Sequence, residues 1–164
     1  MAATRITMMG LQGVPLIKPG DDLGAIAAAA LRENGIGVGD GDVLVVAQKI
    51  VSKAEGRFVN VADVEPSQRA VALAAEVDKD PRFVEVVLSE SKRVVRHRPG
   101  LLIVEHRLGF VMANAGIDHS NVAAEDSGEQ VLLLPVDPDG SARDLRQYLI
   151  GVFGVDVGVI IRSQ

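Results

Sequence analysis

The 164-residue chain is long enough for one domain with a real hydrophobic core, and 48% of its residues are hydrophobic although only 3% are aromatic. It contains no cysteine, which excludes disulfides, thiolate metal sites and a cysteine nucleophile. Its net charge of −5 argues against nucleic acid as the main partner, because phosphate contacts need a basic surface. No apolar run approaches the length of a membrane span and the N-terminus lacks the layout of a signal peptide, so we expect no membrane partner and a cytoplasmic location.

The first part of the chain predicts a strand, a loop and a helix. Residues 5–9 read as a short first strand, and residues 10–20 contain three glycines and two prolines, which are typical of a loop. Asp21 or Asp22 then caps a helix that Asn34 and Gly35 end. The apolar residues of this helix share one face, with the spacing of an amphipathic helix: Leu23, Ile26, Ala27, Ala30 and Leu31.

The next segment predicts a buried strand that ends in polar residues. Residues 43–47 are apolar on both faces, which indicates a central strand. Residues 48–57 are polar and basic, and residues 57–61 begin another strand. Because ligands gather at strand ends in open α/β sheets, residues 48–57 are a candidate binding segment.

Two helices and two strands follow. Pro66 favours the first turn of one helix, and Asp80 with Pro81 opens the next. The predicted apolar positions of the two helices are Ala70, Leu73, Ala74 and Val77, and then Val84, Val87 and Leu88. Residues 93–98 and 101–106 read as strands joined by a turn at Pro99 and Gly100.

A strand over residues 109–113 leads into a stretch that carries several different polar groups. Residues 114–121 combine two carboxamides, a carboxylate, an imidazole and a hydroxyl, and these groups belong to Asn114, Asn121, Asp118, His119 and Ser120. Oxygen ligands of this kind suit Mg²⁺ or Mn²⁺. The alternative is that these are simply common turn residues.

The last part predicts a loop at residues 122–130, a buried strand at 131–134 and a turn at 137–140. Residues 141–144 resemble a capping box with Asp144 in place of Glu or Gln, so we expect the helix to start there and Gly154 to stop it. Residues 155–161 predict a final apolar strand. Because such a strand normally leads into a further element, we expect an additional segment beyond it.

Few motifs carry chemistry on their own. The chain has neither a P-loop nor a Gly-x-Ser-x-Gly elbow. Lys49 and Lys53 lie four residues apart, so in a helix they share one face and both can reach the same phosphate chain. The alternative is that they form a basic face that only contacts solvent. A basic strand end and an oxygen-rich strand end together suit a metal–phosphate site.

Four stretches together resemble a known family. They are residues 14–23, residues 41–46 with 51–57, residues 114–118 with 120–121, and residues 132–135 with 137–142. In order and spacing they resemble the coenzyme F-420:L-glutamate ligases, or gamma-glutamyl ligases, over essentially the whole chain. The stretches Ser-Lys-Ala-Glu-Gly-Arg and Asn-Ala-Gly-Ile-Asp are specific when they occur together.

The resemblance implies an α+β fold, with a mixed sheet and flanking helices, in an intertwined homodimer. It implies a GTP-dependent ligase that joins L-glutamate to the terminal carboxylate of a deazaflavin coenzyme precursor through an acyl phosphate. The implied cations are Mg²⁺ or Mn²⁺, with K⁺ as a further candidate, and GTP is a substrate.

The resemblance also implies roles for individual residues. Asp118 corresponds to a metal ligand, Asn121 to a nucleotide contact and Lys53 to a phosphate contact. Gln48 and Lys49 fall at a nucleotide contact where the family has small hydroxyl residues. The residues that correspond to the guanine site are Val14, Pro15, Leu16 and Ile17.

One position departs from the family pattern. Ser163 stands where the family has an acid that is a second metal ligand, and a hydroxyl is a weaker ligand than a carboxylate for a divalent cation. We therefore expect residues 1–164 to be the N-terminal portion of a ligase domain whose C-terminal part is absent. The alternative hypothesis is a non-catalytic ligase-like half that acts as a nucleotide-binding or assembly module.

Overall fold

A computed structural model of the protein describes residues 6–118 and 130–163. In these ranges the helices are α1 (Leu23–Glu33), α2 (Gln48–Ala54), α3 (Gln68–Val77), α4 (Pro81–Ser89) and α5 (Pro138–Phe153). The strands are β1 (Val43–Ala47), β2 (Phe58–Asn60), β3 (Ser91–Arg98), β4 (Leu101–His106), β5 (Val111–Ala113), β6 (Gln130–Leu132) and β7 (Gly158–Arg162).

The strands form one parallel and two antiparallel sheets. β1 pairs with β7 in parallel, β2 pairs with β6 antiparallel, and β3, β4 and β5 form an antiparallel sheet in that order. This mixture of sheets with flanking helices confirms the predicted α+β class. In the described ranges no helix is both long and apolar enough to cross a lipid bilayer.

Two hydrophobic cores hold the elements together. One lies between helices α3 and α4 and the inner face of the β3–β5 sheet, where Val77, Val84 and Val104 are fully buried. The other packs α1 and α5 against one face of β1 and β7, around Leu31 and Leu149. The predicted apolar faces of α1, α3 and α4 supply much of both cores, because each helix buries one stripe of side chains.

Side-chain caps begin the helices much as local sequence predicts. Asp22 accepts a hydrogen bond from the Ala25 amide at 3.0 Å, and Asp80 accepts one from the Arg82 amide at 2.7 Å, with Pro81 at the first helical position. The prediction for Pro66 was wrong, because Ser67 is the cap of α3 and accepts from the Ala70 amide at 3.2 Å. A serine oxygen satisfies a free helix amide, which proline cannot do.

The start of α5 was also predicted too late. Asp137 caps this helix by accepting from the Gly140 amide at 2.9 Å, so residues 138–140 form its first turn and are not a separate loop. Pro138 favours this start because its fixed φ suits the first helical position. Ser141 is therefore inside the helix, whereas Gly154 ends it as predicted, with a φ of 70°.

Three strand predictions need correction. Residues 6–9 form no strand, and Ile6 and Met8 are exposed. In the described ranges β1 pairs only with β7, so Val43 and Val45 are 53% and 58% exposed and β1 is not a buried central strand. β7 begins at Gly158, not at residue 155. An apolar sequence favours the formation of a strand, but the tertiary structure decides how many other strands lie beside it.

Candidate functional site

Two of the predicted site residues meet in the structure. The Lys49 ammonium lies 2.5 Å from Oδ2 of Asp118, and the two side chains are only 20% and 19% exposed. Lys49 is in the first turn of α2, which follows β1 without a loop. The ion pair therefore lies where β1 ends, and partial burial makes it stronger than an exposed pair.

The backbone before Asp118 has an unusual conformation. Asn114, Ala115 and Gly116 have φ values of 49°, 54° and 67°, so three successive residues are left-handed. This conformation is unfavourable by about 1–2 kcal/mol for each residue that has a Cβ. Strain of this kind is found preferentially at functional sites, where the surrounding structure maintains it.

Two backbone hydrogen bonds join Asp118 to Leu132 of β6. Its amide donates to the Leu132 carbonyl at 3.0 Å, and its own carbonyl accepts from the Leu132 amide at 3.0 Å. The left-handed turn and this bridge together fix the position from which the carboxylate reaches Lys49.

Further predicted site residues follow the carboxyl ends of β1 and β7, at the edge of the sheet where Lys49 lies. The two strands are parallel with Ala47 opposite Arg162, so Gln48 and Ser163 follow their strands side by side. Polar residues at adjacent carboxyl ends of parallel strands form the usual ligand edge of such sheets. Gln48 donates from Nε2 to the buried Ser52 hydroxyl at 2.6 Å, and Lys53 lies one helical turn after Lys49.

An apolar cavity of about 470 Å³ lies beside this edge. Val14 and Ile17 line it, together with Ala47 and Ile50 at the start of α2. The other two residues of the predicted guanine site, Pro15 and Leu16, are exposed and do not line the cavity. The structure thus brings two of these four residues to a cavity and leaves two in solvent.

The loop that carries residues 14–17 is tied to the elements on either side. The Gln12 amide donates to Oδ1 of Asn34 at 3.1 Å, and the Gly20 amide donates to the Ala54 carbonyl at 2.8 Å. Because Ala54 ends α2, the loop is connected to the helix that carries Lys49 and Lys53.

The remaining predictions at this site concern cations and residue 121. Asn121, His119 and Ser120 lie outside the described residues. Within residues 6–118 and 130–163, no three His, Asp or Glu side chains converge as a metal cluster would require. Asp118 is a ligand of the class that Mg²⁺ prefers, and Mg²⁺ commonly takes one or two protein carboxylates and completes its shell with phosphate oxygens and water. The residues present therefore fit a cation that a nucleotide phosphate shares.

A second polar cluster was missed by sequence reasoning. Oε2 of the buried Glu90 accepts from Arg57 Nη2 at 2.8 Å and from Arg107 Nε at 3.0 Å, and His106 Nε2 lies 3.5 Å away. Burial alone would raise the pKa of Glu90, but the hydrogen bonds from the two arginines hold it below its usual value. These residues come from three separate stretches of the chain, so no motif spacing could have revealed the cluster.

His106 is completely buried in this cluster. Burial lowers its pKa, and its Nδ1 accepts a hydrogen bond from the Leu108 amide at 3.0 Å. The imidazole is therefore neutral, with its proton on Nε2 facing Glu90. Arg57 also donates from Nε to the Leu134 carbonyl at 3.0 Å, which links the cluster to the segment after β6.

Glu55 joins α2 to the start of α5. Its two carboxylate oxygens accept from the Val136 amide at 2.7 Å and from the Ser141 hydroxyl at 2.9 Å. In the Ser-Lys-Ala-Glu-Gly-Arg stretch, Ser52, Glu55 and Arg57 thus make internal contacts. These contacts hold in place the helix from which Lys49 reaches Asp118.

Together these features define an α+β protein with a lysine–carboxylate site at the ends of two parallel strands, beside an apolar cavity. Comparison with protein families matches residues 12–163 to the family described as F420-0:Gamma-glutamyl ligase. The chain belongs to this family, which confirms the resemblance seen in its sequence.

Curated relatives agree with this assignment. The chain is 42% identical to the coenzyme F420:L-glutamate ligase of Methanothermobacter thermautotrophicus over 156 aligned residues. This alignment covers 95% of this chain and 60% of the relative. It is 46% identical to the protein of the same name from Methanopyrus kandleri, over 92% of this chain and 58% of the relative. For the Archaeoglobus fulgidus protein of that name the identity is 44%, over 96% of this chain and 59% of the relative. The chain thus spans about 60% of the length of these relatives.

Proposed function

We propose that the protein catalyses, or contributes to, the GTP-dependent joining of L-glutamate to the terminal carboxylate of a deazaflavin coenzyme precursor. The names of its relatives support glutamate and the F420 coenzyme as the substrates. The observation that carries the proposal is the contact between Lys49 and Asp118 at the ends of β1 and β7, because it combines a cation for phosphate with a carboxylate for a metal.

The nucleotide base would occupy the apolar cavity beside β1. A cavity of about 470 Å³ lies within the usual size range of small-molecule sites. Val14 and Ile17 offer apolar contacts to the flat faces of a guanine ring. The exposed residues Pro15 and Leu16 would contact the base only if the loop moved toward the cavity.

The phosphates would extend from the cavity toward α2. Lys49 and Lys53 lie on one face of this helix, one turn apart, and both can donate to phosphate oxygens. Gln48 and Asn121 are the other proposed nucleotide contacts. Phosphoryl transfer depends mainly on positioning and on the neutralisation of charge, which lysines supply directly.

Asp118 would hold Mg²⁺ or Mn²⁺, with K⁺ as a further candidate cation. When bound, a divalent cation would add charge neutralisation at the phosphates that lysines alone do not provide. Because the Asp118 carboxylate contacts Lys49 in this structure, the lysine and the cation would share it or compete for it. Lys49 is therefore the residue expected to turn toward the nucleotide.

The proposed reaction has two steps. A carboxylate oxygen of the precursor attacks the γ-phosphorus of GTP, so that an acyl phosphate forms and GDP leaves. The amine of L-glutamate then attacks the acyl carbon, phosphate leaves, and the nitrogen loses a proton as the amide forms. The residues of this chain bind and orient GTP in this scheme, and a homodimer is the proposed assembly.

Isothermal titration of GTP with and without Mn²⁺ tests the nucleotide site. We expect binding that depends on Mn²⁺ and that Asp118→Asn weakens at least about tenfold, because the carboxylate is the proposed metal ligand. Asp63→Asn removes an exposed carboxylate in a short turn outside the site and should leave binding unchanged. Equal binding by both variants would exclude a metal role for Asp118.

A second candidate function is a nucleotide-binding or assembly module without catalysis. Ser163 favours it, because a hydroxyl stands beside the β1 end where the family resemblance implies a carboxylate. The two candidates differ in turnover. The ligase should release GDP and phosphate when the precursor and glutamate are added, whereas the module should bind GTP without releasing either. Ser163→Asp should raise the affinity for Mn²⁺ under both hypotheses.

A further inference from the structure

The ammonium of Lys49 occupies the place at which a cation would contact Asp118. It lies 2.5 Å from Oδ2 of that carboxylate, and both side chains are only about one fifth exposed. A divalent cation bound to the same carboxylate would lie next to the ammonium. The two positive charges would repel each other more strongly than in water, because the site is partly shielded from solvent. The ammonium and the cation therefore exclude each other from Asp118 as long as Lys49 keeps this conformation.

The side chain of Lys49 is the part of this contact that can move. Two backbone hydrogen bonds of 3.0 Å join Asp118 to Leu132, and three successive left-handed residues, 114–116, precede it. The backbone of α2 is fixed as well, because Glu55 at its C-terminal end is hydrogen-bonded to the segment that begins α5. A lysine side chain, in contrast, is a flexible four-carbon stem with a charged end.

The described residues offer a free cation few ligands at Asp118. Within residues 6–118 and 130–163, no three His, Asp or Glu side chains converge on one point. Ser163 follows β7 beside the end of β1, but a hydroxyl is a weaker ligand than a carboxylate for a divalent cation. A cation at Asp118 therefore takes most of its ligands from elsewhere, and a cation that is already bound to phosphate brings oxygen ligands with it.

Nucleotide phosphates would be a stronger partner for Lys49 than a single carboxylate. A triphosphate carries several negative charges, and each of its oxygens accepts charge-assisted hydrogen bonds. Lys53 lies one turn after Lys49 on the same face of α2, so both ammonium groups can reach one phosphate chain. Once Lys49 has turned toward the phosphates, the Asp118 carboxylate can contact the cation that they carry.

We propose that Lys49 restricts Asp118 to divalent cations that arrive with a nucleotide. Without nucleotide the ammonium keeps free cations away from the carboxylate, and with nucleotide the same ammonium neutralises phosphate charge. Nucleotide and cation therefore bind with positive coupling. This inference rests on the proposed function and adds to it the order of binding. The small hydroxyl residue that the family resemblance implies at position 49 has no charge with which to act in this way.

Binding of Mn²⁺ without nucleotide tests the exclusion of free cations. The electron paramagnetic resonance signal of free Mn²⁺ weakens when the ion binds to protein, so it gives a dissociation constant without any measurement of activity. Lys49→Met keeps most of the stem and removes the charge, and we expect it to bind Mn²⁺ at least about tenfold more tightly than the parent. Lys49→Arg keeps the charge and should bind no more tightly than the parent. The matched control Lys92→Met removes an exposed charge from β3 and should change the dissociation constant by less than about twofold.

Two further variants locate the ion and guard against misfolding. Lys49→Met/Asp118→Asn should lose the whole gain in Mn²⁺ affinity, and a gain that persists in it overturns the proposal. Lys49→Ser should show the same gain as Lys49→Met, so it decides the question if circular dichroism shows that the methionine variant is unfolded. Equal Mn²⁺ binding by the parent and the neutral variants overturns the proposal. Micromolar binding of free Mn²⁺ by the parent that Asp118→Asn abolishes does so as well.

The effect of Mn²⁺ on GTP binding tests the coupling and separates this proposal from the proposed function. The GTP affinity in saturating Mn²⁺ is divided by the affinity in EDTA, for the parent and for Lys49→Met. Formation of the Mn²⁺–GTP complex in solution is the same for both proteins and cancels. By linkage this ratio should be about tenfold larger in the parent, and an equal or larger ratio in Lys49→Met overturns the proposal. If GTP binds to neither protein, the proposed function fails, and Mn²⁺ binding alone decides whether Lys49 excludes the cation from Asp118.

Discussion

The ammonium of Lys49 and the carboxylate of Asp118 lie 2.5 Å apart, although one follows β1 and the other follows a strained turn after β5. Each is only about one fifth exposed. Each charge therefore stabilises the other in a partly buried position.

A double-mutant cycle should measure this dependence. Lys49→Met and Asp118→Asn should each lower the free energy of unfolding, with a coupling between them of about 1–2 kcal/mol, because each single change removes this contact from a partly buried charge. Urea unfolding of the parent, both single variants and the double variant gives the coupling. The exposed pair Arg82 and Asp80, with a separation of 4.0 Å, is the matched control and should couple by less than about 0.5 kcal/mol. A coupling as small as that of the control would contradict the structural account of the site.

Replacement of Glu90 should have a larger effect on stability. Glu90→Gln leaves Arg57 and Arg107 without their shared carboxylate and should reduce the free energy of unfolding by about 2–4 kcal/mol. Glu105→Gln, which removes the partner of the exposed Arg93, should change it by less than about 1 kcal/mol. Denaturant melts of both variants at neutral pH make the comparison. Similar losses in the two variants would mean that the Glu90 cluster contributes no more than a surface pair.

The Glu90 cluster should also make stability depend on pH in the acid range. The pKa of Glu90 is lowered in the folded protein, so its contribution is complete above the usual carboxyl pKa of about 4.3 and is lost as the pH falls through the lower folded value. Unfolding measured from pH 6 to pH 3 should show a smaller acid-dependent loss in Glu90→Gln than in the parent. An unchanged slope would argue against a depressed pKa.

His106 should contribute a second pH dependence, at higher pH. Its pKa is lowered by burial, so below about pH 6.5 the unfolded chain takes up a proton that the folded chain does not. Stability should therefore fall as the pH drops below about 6.5, and His106→Gln should flatten the curve there while lowering stability at every pH. If His106→Gln left the slope of the curve unchanged, the assignment would be wrong.

Gly116 should tolerate no side chain. Its φ is 67°, and a Cβ there would lie 2.9 Å from Met112 Sδ and 3.3 Å from the Leu134 methyl groups. Gly116→Ala should lower stability by about 2–4 kcal/mol, because it adds a steric clash to the backbone strain, and should weaken any ligand held by Asp118. Gly109→Ala has a comparable φ of 92° but meets no atom within 4 Å, so it reports the strain alone. The difference between the two melting temperatures measures the clash, and equal melting temperatures would contradict it.

Sequence reasoning succeeded where the interactions are local. The face of α1, the caps at Asp22 and Asp80, and the hairpin of β3 and β4 depend on residues a few positions apart. It failed where a choice depends on distant neighbours. Residues 6–9 have the composition of a strand but no pairing partner in the described ranges, and Val43 and Val45 of β1 are exposed because only β7 lies beside it.

The sequence by itself determined the α+β class, most of the helices and the family, because periodicity, capping and the order of short motifs are properties of the linear chain. Only the tertiary structure decided that Lys49 contacts Asp118, that Arg57, His106 and Arg107 surround Glu90, and that the arginines of β3 share one outer face. The first two relationships join residues from different elements, and the third depends on how β3 pairs with β4. Their distances depend on strand register and helix packing, which the local sequence does not specify.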